Sequence, residues 1–134
     1  MVGRDIGDFY PPPAAPGEVG GPVLTVEGGA NGRLSGIALT LRSGEIVGLA
    51  GVQGAGRTAL AAALFGAAPF TAGKVTLHGE PALFASPREA IAAGIVMLPG
   101  DRKAEGLFLM QSLRDNAMAA VRALAAFLGP AART

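Results

Sequence analysis

The sequence predicts an α/β domain with a parallel core and a small antiparallel β layer, on three observations. Two short, almost continuous apolar runs, Ile46 to Ala50 and Ile95 to Pro99, suit strands buried on both faces, as in a parallel sheet. A glycine-rich connection, Gly51 to Gly56, follows the first run and opens directly into an alanine-rich segment of helical period. Weakly alternating segments at 23–27, 37–41 and 74–78 read as strands of the antiparallel layer.

The elements follow in order. Met1 to Pro22 reads as a tail and linker, because Pro11-Pro12-Pro13, Pro16-Gly17 and Gly20-Gly21-Pro22 favour extended backbone over packing. A folded unit is expected from Val23 to Thr134. Its first strand, Val23 to Glu27, is expected to end at Gly28-Gly29, and its second covers Ile37 to Leu41. The first helix spans Thr58 to Phe65 and stops at Gly66 and Pro69. Lys74 to His78 and Pro81 to Ala85 read as a pair of edge strands. The second helix has Ser86 as N-cap, Pro87 in its first turn, Glu89 completing a capping box and Gly94 as terminator. Gly100 to Gly106 is a charged loop, and a last helix runs from a Ser112 cap to about Leu128 before Gly129-Pro130. The stripe Leu113, Ala117, Val121, Leu124 and Leu128 predicts a buried face on that helix.

Composition bounds the function. With 134 residues there is room for one domain or part of one. Half of the chain is hydrophobic but only 5% aromatic, so alanine supplies much of the apolar content. Eleven basic against ten acidic residues leave a formal charge of +1, too weak a field to argue for a nucleic-acid partner. The absence of cysteine excludes a disulfide scaffold, a cysteine zinc cluster and a thiol nucleophile, and His78 is the lone histidine. The apolar stretch 117–128 is broken by Arg122 and falls short of the roughly 20 residues a membrane-crossing helix needs. Arg4, Asp5 and Asp8 stand where an export signal would be apolar, so a cytoplasmic location is expected.

The chemistry lies in Gly51-Val52-Gln53-Gly54-Ala55-Gly56-Arg57-Thr58, which fits the phosphate-binding pattern GxxxxGK[ST] with arginine in place of lysine. Backbone N–H groups can wrap a polyphosphate only where no Cβ atoms intervene, and Gly51, Gly54 and Gly56 supply that clearance. The following helix aims its positive end at the phosphates, and the Thr58 hydroxyl is the candidate Mg²⁺ ligand. The expected nucleotide-binding set is Gly51, Gln53, Gly54, Ala55, Gly56, Arg57 and Thr58. Arginine is longer and planar where lysine is a compact charge. Weakened binding and slow hydrolysis are therefore expected.

Residues 45–58, then Leu64-Phe65-Gly66, then Ser86 to Ile95, then Asp101-Arg102-Lys103-Ala104-Glu105-Gly106-Leu107, together resemble the second nucleotide-binding domain of ABC-type sugar import ATPases of the ribose, galactose and xylose group. That domain commonly carries arginine in its phosphate loop, which accommodates Arg57. Met1 to Asp5 also resembles the end of the family's first domain. The resemblance implies the front part of a P-loop NTPase domain that binds ATP and Mg²⁺. The implied partners are another nucleotide-binding domain and the permease subunits of a sugar importer, with the protein peripheral on the inner face of the cell membrane.

The family's acidic residue closing a hydrophobic strand, its LSGGQ-like signature and its switch histidine all fall past the point this sequence reaches. No catalytic residue is therefore assigned, and whether the chain is an enzyme stays open. Ala59 and Gly100 depart from the family, the latter replacing an acidic side chain in the loop that senses the γ-phosphate. The alternative reading is a non-enzymatic remnant that neither hydrolyses ATP nor assembles, or only docks on a partner domain. Arg102 and Lys103 admit either phosphate or partner contact or simple solvation.

Overall fold

The computed structural model describes residue 17 and residues 19–128, with the side chains of 120 and 122–128 outside that set. The tail and linker expected before Pro22 fall almost entirely outside the described residues, as do Gly129-Pro130.

Four strands form one antiparallel sheet in the order β2-β1-β3-β4: β1 (Pro22–Asn31), β2 (Leu34–Arg42), β3 (Ala72–Leu77) and β4 (Glu80–Pro81). The alternation in 22–31 does its expected work, since Leu24 and Val26 turn inward while Glu27 stays out. Rather than ending at Gly28-Gly29, β1 continues through a register shift between Val26 and Gly29 and pairs on to Asn31. The two glycines make a bulge where a neighbouring strand comes close. A Cβ at Gly73 of β3 would lie 2.5 Å from the Gly28 carbonyl oxygen, so the strands meet backbone to backbone. β3 is an inner strand rather than an edge, because β1 pairs on one side of it and β4 on the other. β4 is shorter than the expected 81–85, and the turn into it places His78 at φ 51 and Gly79 at φ 85, the left-handed pair of a tight hairpin.

Helix α1 (Arg57–Leu64) lies on the inner face of this sheet. Leu60 and Ala63 are its buried positions, and they join Leu24, Val26, Leu34, Phe70 and Val75 in one core. Helix α2 (Pro87–Ala92) begins as expected: the Glu89 N–H donates to the Ser86 Oγ at 3.4 Å, and a Glu89 carboxylate oxygen accepts the Ala85 N–H at 2.9 Å. Helix α3 (Leu113–Leu128) is capped by Ser112, whose Oγ accepts the Asp115 N–H at 3.1 Å. Asn116 clasps the preceding loop, accepting the Phe108 N–H at 2.8 Å and donating to the Phe108 carbonyl at 3.0 Å. Between α2 and α3, the charged loop holds one π-helical turn, Arg102–Gly106, whose start is fixed by Asp101 accepting the N–H groups of Lys103 and Ala104.

The parallel pairing expected of 46–50 and 95–99 is not formed among the described residues, where every strand pair is antiparallel. Both segments are chain without a ladder partner. An apolar run specifies a doubly covered strand only when neighbours are present to cover it. Here Ile46 is 90% exposed and Leu98 96%, while Ile95 packs against the core. A groove of about 640 Å³ lies between the start of β1, the end of β2, α1 and residues 95–97. The buried face expected of α3 is likewise absent at Leu113 and Val121, which are exposed.

This distribution of apolar surface predicts self-association of the isolated chain. Leu98→Glu and Ile46→Glu should each shift it toward monomer in light scattering, and a wild-type chain that melts sharply as a monomer would contradict the assignment. In the Leu98→Glu background, Phe70→Ala should cost about 3–5 kcal/mol in denaturant unfolding, because the ring fills the space over Gly29.

Candidate functional site

Residues 45–52 deliver the chain to a turn at 53–56 that feeds straight into α1. Gly54 and Gly56 sit at φ 87 and φ 86, the left-handed region that L side chains avoid. Alternating handedness along such a turn points successive N–H groups to one side, a concavity suited to an anion. At Gly51 a Cβ would lie 3.0 Å from the Ala55 Cβ, a tight approach that glycine avoids as the turn closes on itself.

The start of α1 differs from the other helix starts. Ser86 and Ser112 cap α2 and α3 with their hydroxyls, whereas α1 begins at Gly56 with no side-chain cap. Its first-turn N–H groups have no intrahelical acceptor, which is the condition under which a helix end attracts an anion. The Leu60 N–H already bonds the Gly56 carbonyl at 2.8 Å. Of the amides expected to face a ligand, that of Ala55 is engaged within the loop, donating to the Val52 carbonyl at 3.1 Å.

Six of the expected residues are brought together with neighbours in one open cleft. Gln53, Gly54, Ala55, Gly56, Arg57 and Thr58 line a space of about 420 Å³, with Ala59 and Arg33 completing its wall. Gly51 shapes the loop without lining the cleft. Arg57 and Thr58 also border a second cleft, about 290 Å³, whose far wall is Met97 to Gly100 and Glu105. Gly100 thus stands opposite the loop, where it offers backbone only. Glu105, read in the sequence as a charge on a loop, shares this cleft with Thr58. Arg33 carries no signal in the sequence, since its turn lies some twenty residues before the motif and only the fold brings it there.

Among the described residues there is no cluster of three or more histidine, aspartate or glutamate side chains that could hold a metal ion, and no helix long and apolar enough to cross a membrane.

Comparison with known proteins places the chain in a family. The ABC transporter family model matches residues 34–130, from β2 through α3. The chain belongs to the ABC transporter family. It is an α/β, partial P-loop NTPase domain of that family, and its curated relatives carry ATP-binding names. It is 51% identical over 117 residues to "Ribose import ATP-binding protein RbsA 2" of Burkholderia pseudomallei, covering 87% of this chain and 23% of that protein. It is 46% identical over 131 residues to "Ribose import ATP-binding protein RbsA 3" of Rubrobacter xylanophilus, covering 96% of this chain and 26% of that protein. "Arabinose import ATP-binding protein AraG" of Yersinia pestis is 47% identical over 117 residues, which are 87% of this chain and 22% of that protein. The chain therefore spans about a quarter of the length of these relatives. No solved structure matches significantly.

The loop geometry has a direct test. Gly56→Ala should destabilise the fold by about 1–2 kcal/mol through backbone strain alone, because its Cβ would meet Leu34 at an ordinary 3.4 Å. Gly56→Asn, which tolerates the left-handed region better, should cost less in the same denaturation measurement; equal losses would place the strain elsewhere.

Proposed function

We propose that this chain is the ATP-binding front part of the second nucleotide-binding domain of a sugar-importing ABC ATPase. The observation that carries the proposal is the loop 51–58, with left-handed Gly54 and Gly56 running into the uncapped start of α1. The N–H groups of Gly54, Gly56, Arg57 and Thr58 would cradle the phosphates, with Ala55 keeping the turn closed. The Arg57 guanidinium would add a fixed positive charge beside them, always protonated and able to bond two phosphate oxygens at once. Gln53 would stand at the rim of the same cleft.

The donor set suits Mg²⁺ only in part. The Thr58 hydroxyl supplies one oxygen, and no cluster of three carboxylates and histidines exists among the described residues to hold a free ion. Mg²⁺ would thus arrive on the nucleotide, with Thr58 adding one ligand to those of the phosphates. When bound, the ion would neutralise phosphate charge. This chain's own residues contribute binding and orientation.

The names of the relatives support pentose import as the process served. On this reading the chain works against another nucleotide-binding domain and membrane permease subunits, peripheral on the inner face of the cell membrane. A second reading, a non-hydrolysing piece that only docks on a partner domain or does not assemble, is favoured by the unpaired apolar segments around Ile46 and Leu98.

Titration of the folded chain with ATP, with and without Mg²⁺, tests the first reading. Binding should be detectable and Arg57→Ala should weaken it about 10-fold or more, the scale of losing a charge-assisted bond. Heat-free titrations with every nucleoside triphosphate would remove the proposal. Turnover of ATP by the chain should not exceed that of Arg57→Ala, and activity clearly above that control would show that a water-activating group is present.

A further inference from the structure

The sequence holds two asparagines, and their neighbours differ. Asn116 is followed by Ala117 inside α3, whereas Asn31 is followed by Gly32 at the tip of the β1–β2 hairpin. An Asn-Gly pair suits a turn, yet this turn makes no demand for the glycine. Gly32 is not among the glycines held at positive φ, and a Cβ built on it would meet nothing within 4 Å. The residue is exposed. What it supplies is a backbone nitrogen with no side chain beside it, next to the Asn31 amide.

That amide is fully engaged. Its Nδ2 donates to the Ala68 carbonyl at 2.9 Å and to the Pro69 carbonyl at 3.4 Å. Its Oδ1 accepts the N–H groups of Arg33 and Leu34, each at 3.0 Å. Both donors and both lone pairs of the group are thus in use. One side chain ties the hairpin tip to the segment that leaves α1. Leu34, fastened by one of these bonds, is buried in the core, and its Cδ2 would lie 3.4 Å from a Cβ at Gly56 of the phosphate loop.

The pair carries a reaction of its own. The Gly32 nitrogen can attack the Asn31 Cγ, forming a C–N bond and making that carbon tetrahedral. The Cγ–Nδ2 bond then breaks, and ammonia departs with the proton that the Gly32 nitrogen loses through solvent. A five-membered succinimide remains. Water opens it at Cγ to give aspartate, or at the backbone carbonyl to give isoaspartate. In the latter the main chain runs through the former side chain. Only water is consumed.

We infer that Asn31–Gly32 is a self-modification site, slowed in the folded chain by the four hydrogen bonds of the Asn31 amide and released when the hairpin tip opens. A tetrahedral carbon cannot keep the bonds that a planar amide makes to both sides, so the folded state opposes ring closure. The hairpin tip is exposed, and such turns open locally without unfolding the domain. Either product lacks the Nδ2 donor and sets a carboxylate against the Ala68 and Pro69 carbonyl oxygens. Isoaspartate also lengthens the backbone at the turn, where Asn31 pairs with Leu34. Conversion therefore cuts the tie between the hairpin and the end of α1, and nothing in the chain restores it.

Peptide mapping by mass spectrometry, with isoaspartyl methyltransferase labelling, follows the exchange of NH2 for OH at Asn31 in the full chain at mildly alkaline pH. The folded chain should convert about 10- to 1,000-fold more slowly than the same chain in guanidinium chloride, the range of a local opening. Asn116, whose neighbour is alanine, should lag behind Asn31 in guanidinium chloride. Gly32→Ala should slow conversion of Asn31 there several-fold, and should leave the denaturant midpoint of the folded chain unchanged because its Cβ meets open space. Asn31→Asp should lower that midpoint, since a donor to two carbonyls is lost. Equal rates in the folded and denatured chain would overturn the inference by showing that the hydrogen bonds give no protection. A folded chain that never converts while the denatured one does would overturn it by removing the local opening. An unchanged midpoint in Asn31→Asp would overturn the consequence drawn for the fold.

Discussion

The packing of α1 on the antiparallel sheet governs the rest of the structure. Leu60 and Ala63 point into a core supplied by β1, β2 and β3, and Phe70 closes the same core from the segment that leaves the helix. Because the helix is held at these points, its first residue is held as well, and the chain before it must reverse within a few residues. Gly54 and Gly56 make that reversal sterically possible. The loop is therefore shaped by the core beneath it. Its position owes little to the exposed segment 46–50 that leads into it.

Local signals in the sequence were legible where short-range chemistry decides the structure. The Ser86-Pro87-Glu89 start of α2, the Ser112 cap of α3 and the inward turn of Leu24 and Val26 in β1 all appear where they are expected. Signals that depend on a neighbour were not legible in the same way. Gly28-Gly29 reads as a strand end, yet Gly73 approaches from β3 and turns the pair into a bulge inside a continuous strand. Ile46 to Ala50 and Ile95 to Pro99 read as doubly covered strands because apolar composition records burial in a complete sheet. It does not record whether the covering strands are at hand. The stripe on α3 fails at Leu113 and Val121 for the same reason, since periodicity identifies a face without naming what lies against it.

The site shows a similar division. The glycines, Arg57 and Thr58 form a contiguous motif, and their convergence on one cleft needs little more than a helix beginning at the right place. Arg33 and Glu105 reach the same region only through the fold, from a β-turn and a π-helical turn that no spacing rule connects to the motif. Asn31 is the least visible of all. Its contribution lies in hydrogen bonds across 37 residues of sequence, and such a bond leaves no periodic trace. Membership of the ABC transporter family rests on β2 through α3 as a whole and gives the motif its context.

The missing hydroxyl at the head of α1 has a thermodynamic side. Serine completes the other two helices from within the chain, whereas this one has no side-chain cap among the described residues and leaves its first N–H groups to water or to a bound anion. An anion seated there would finish a piece of secondary structure, and occupancy and folding would then draw on the same free energy. The guest would in that sense be a late-arriving part of the polypeptide's own architecture.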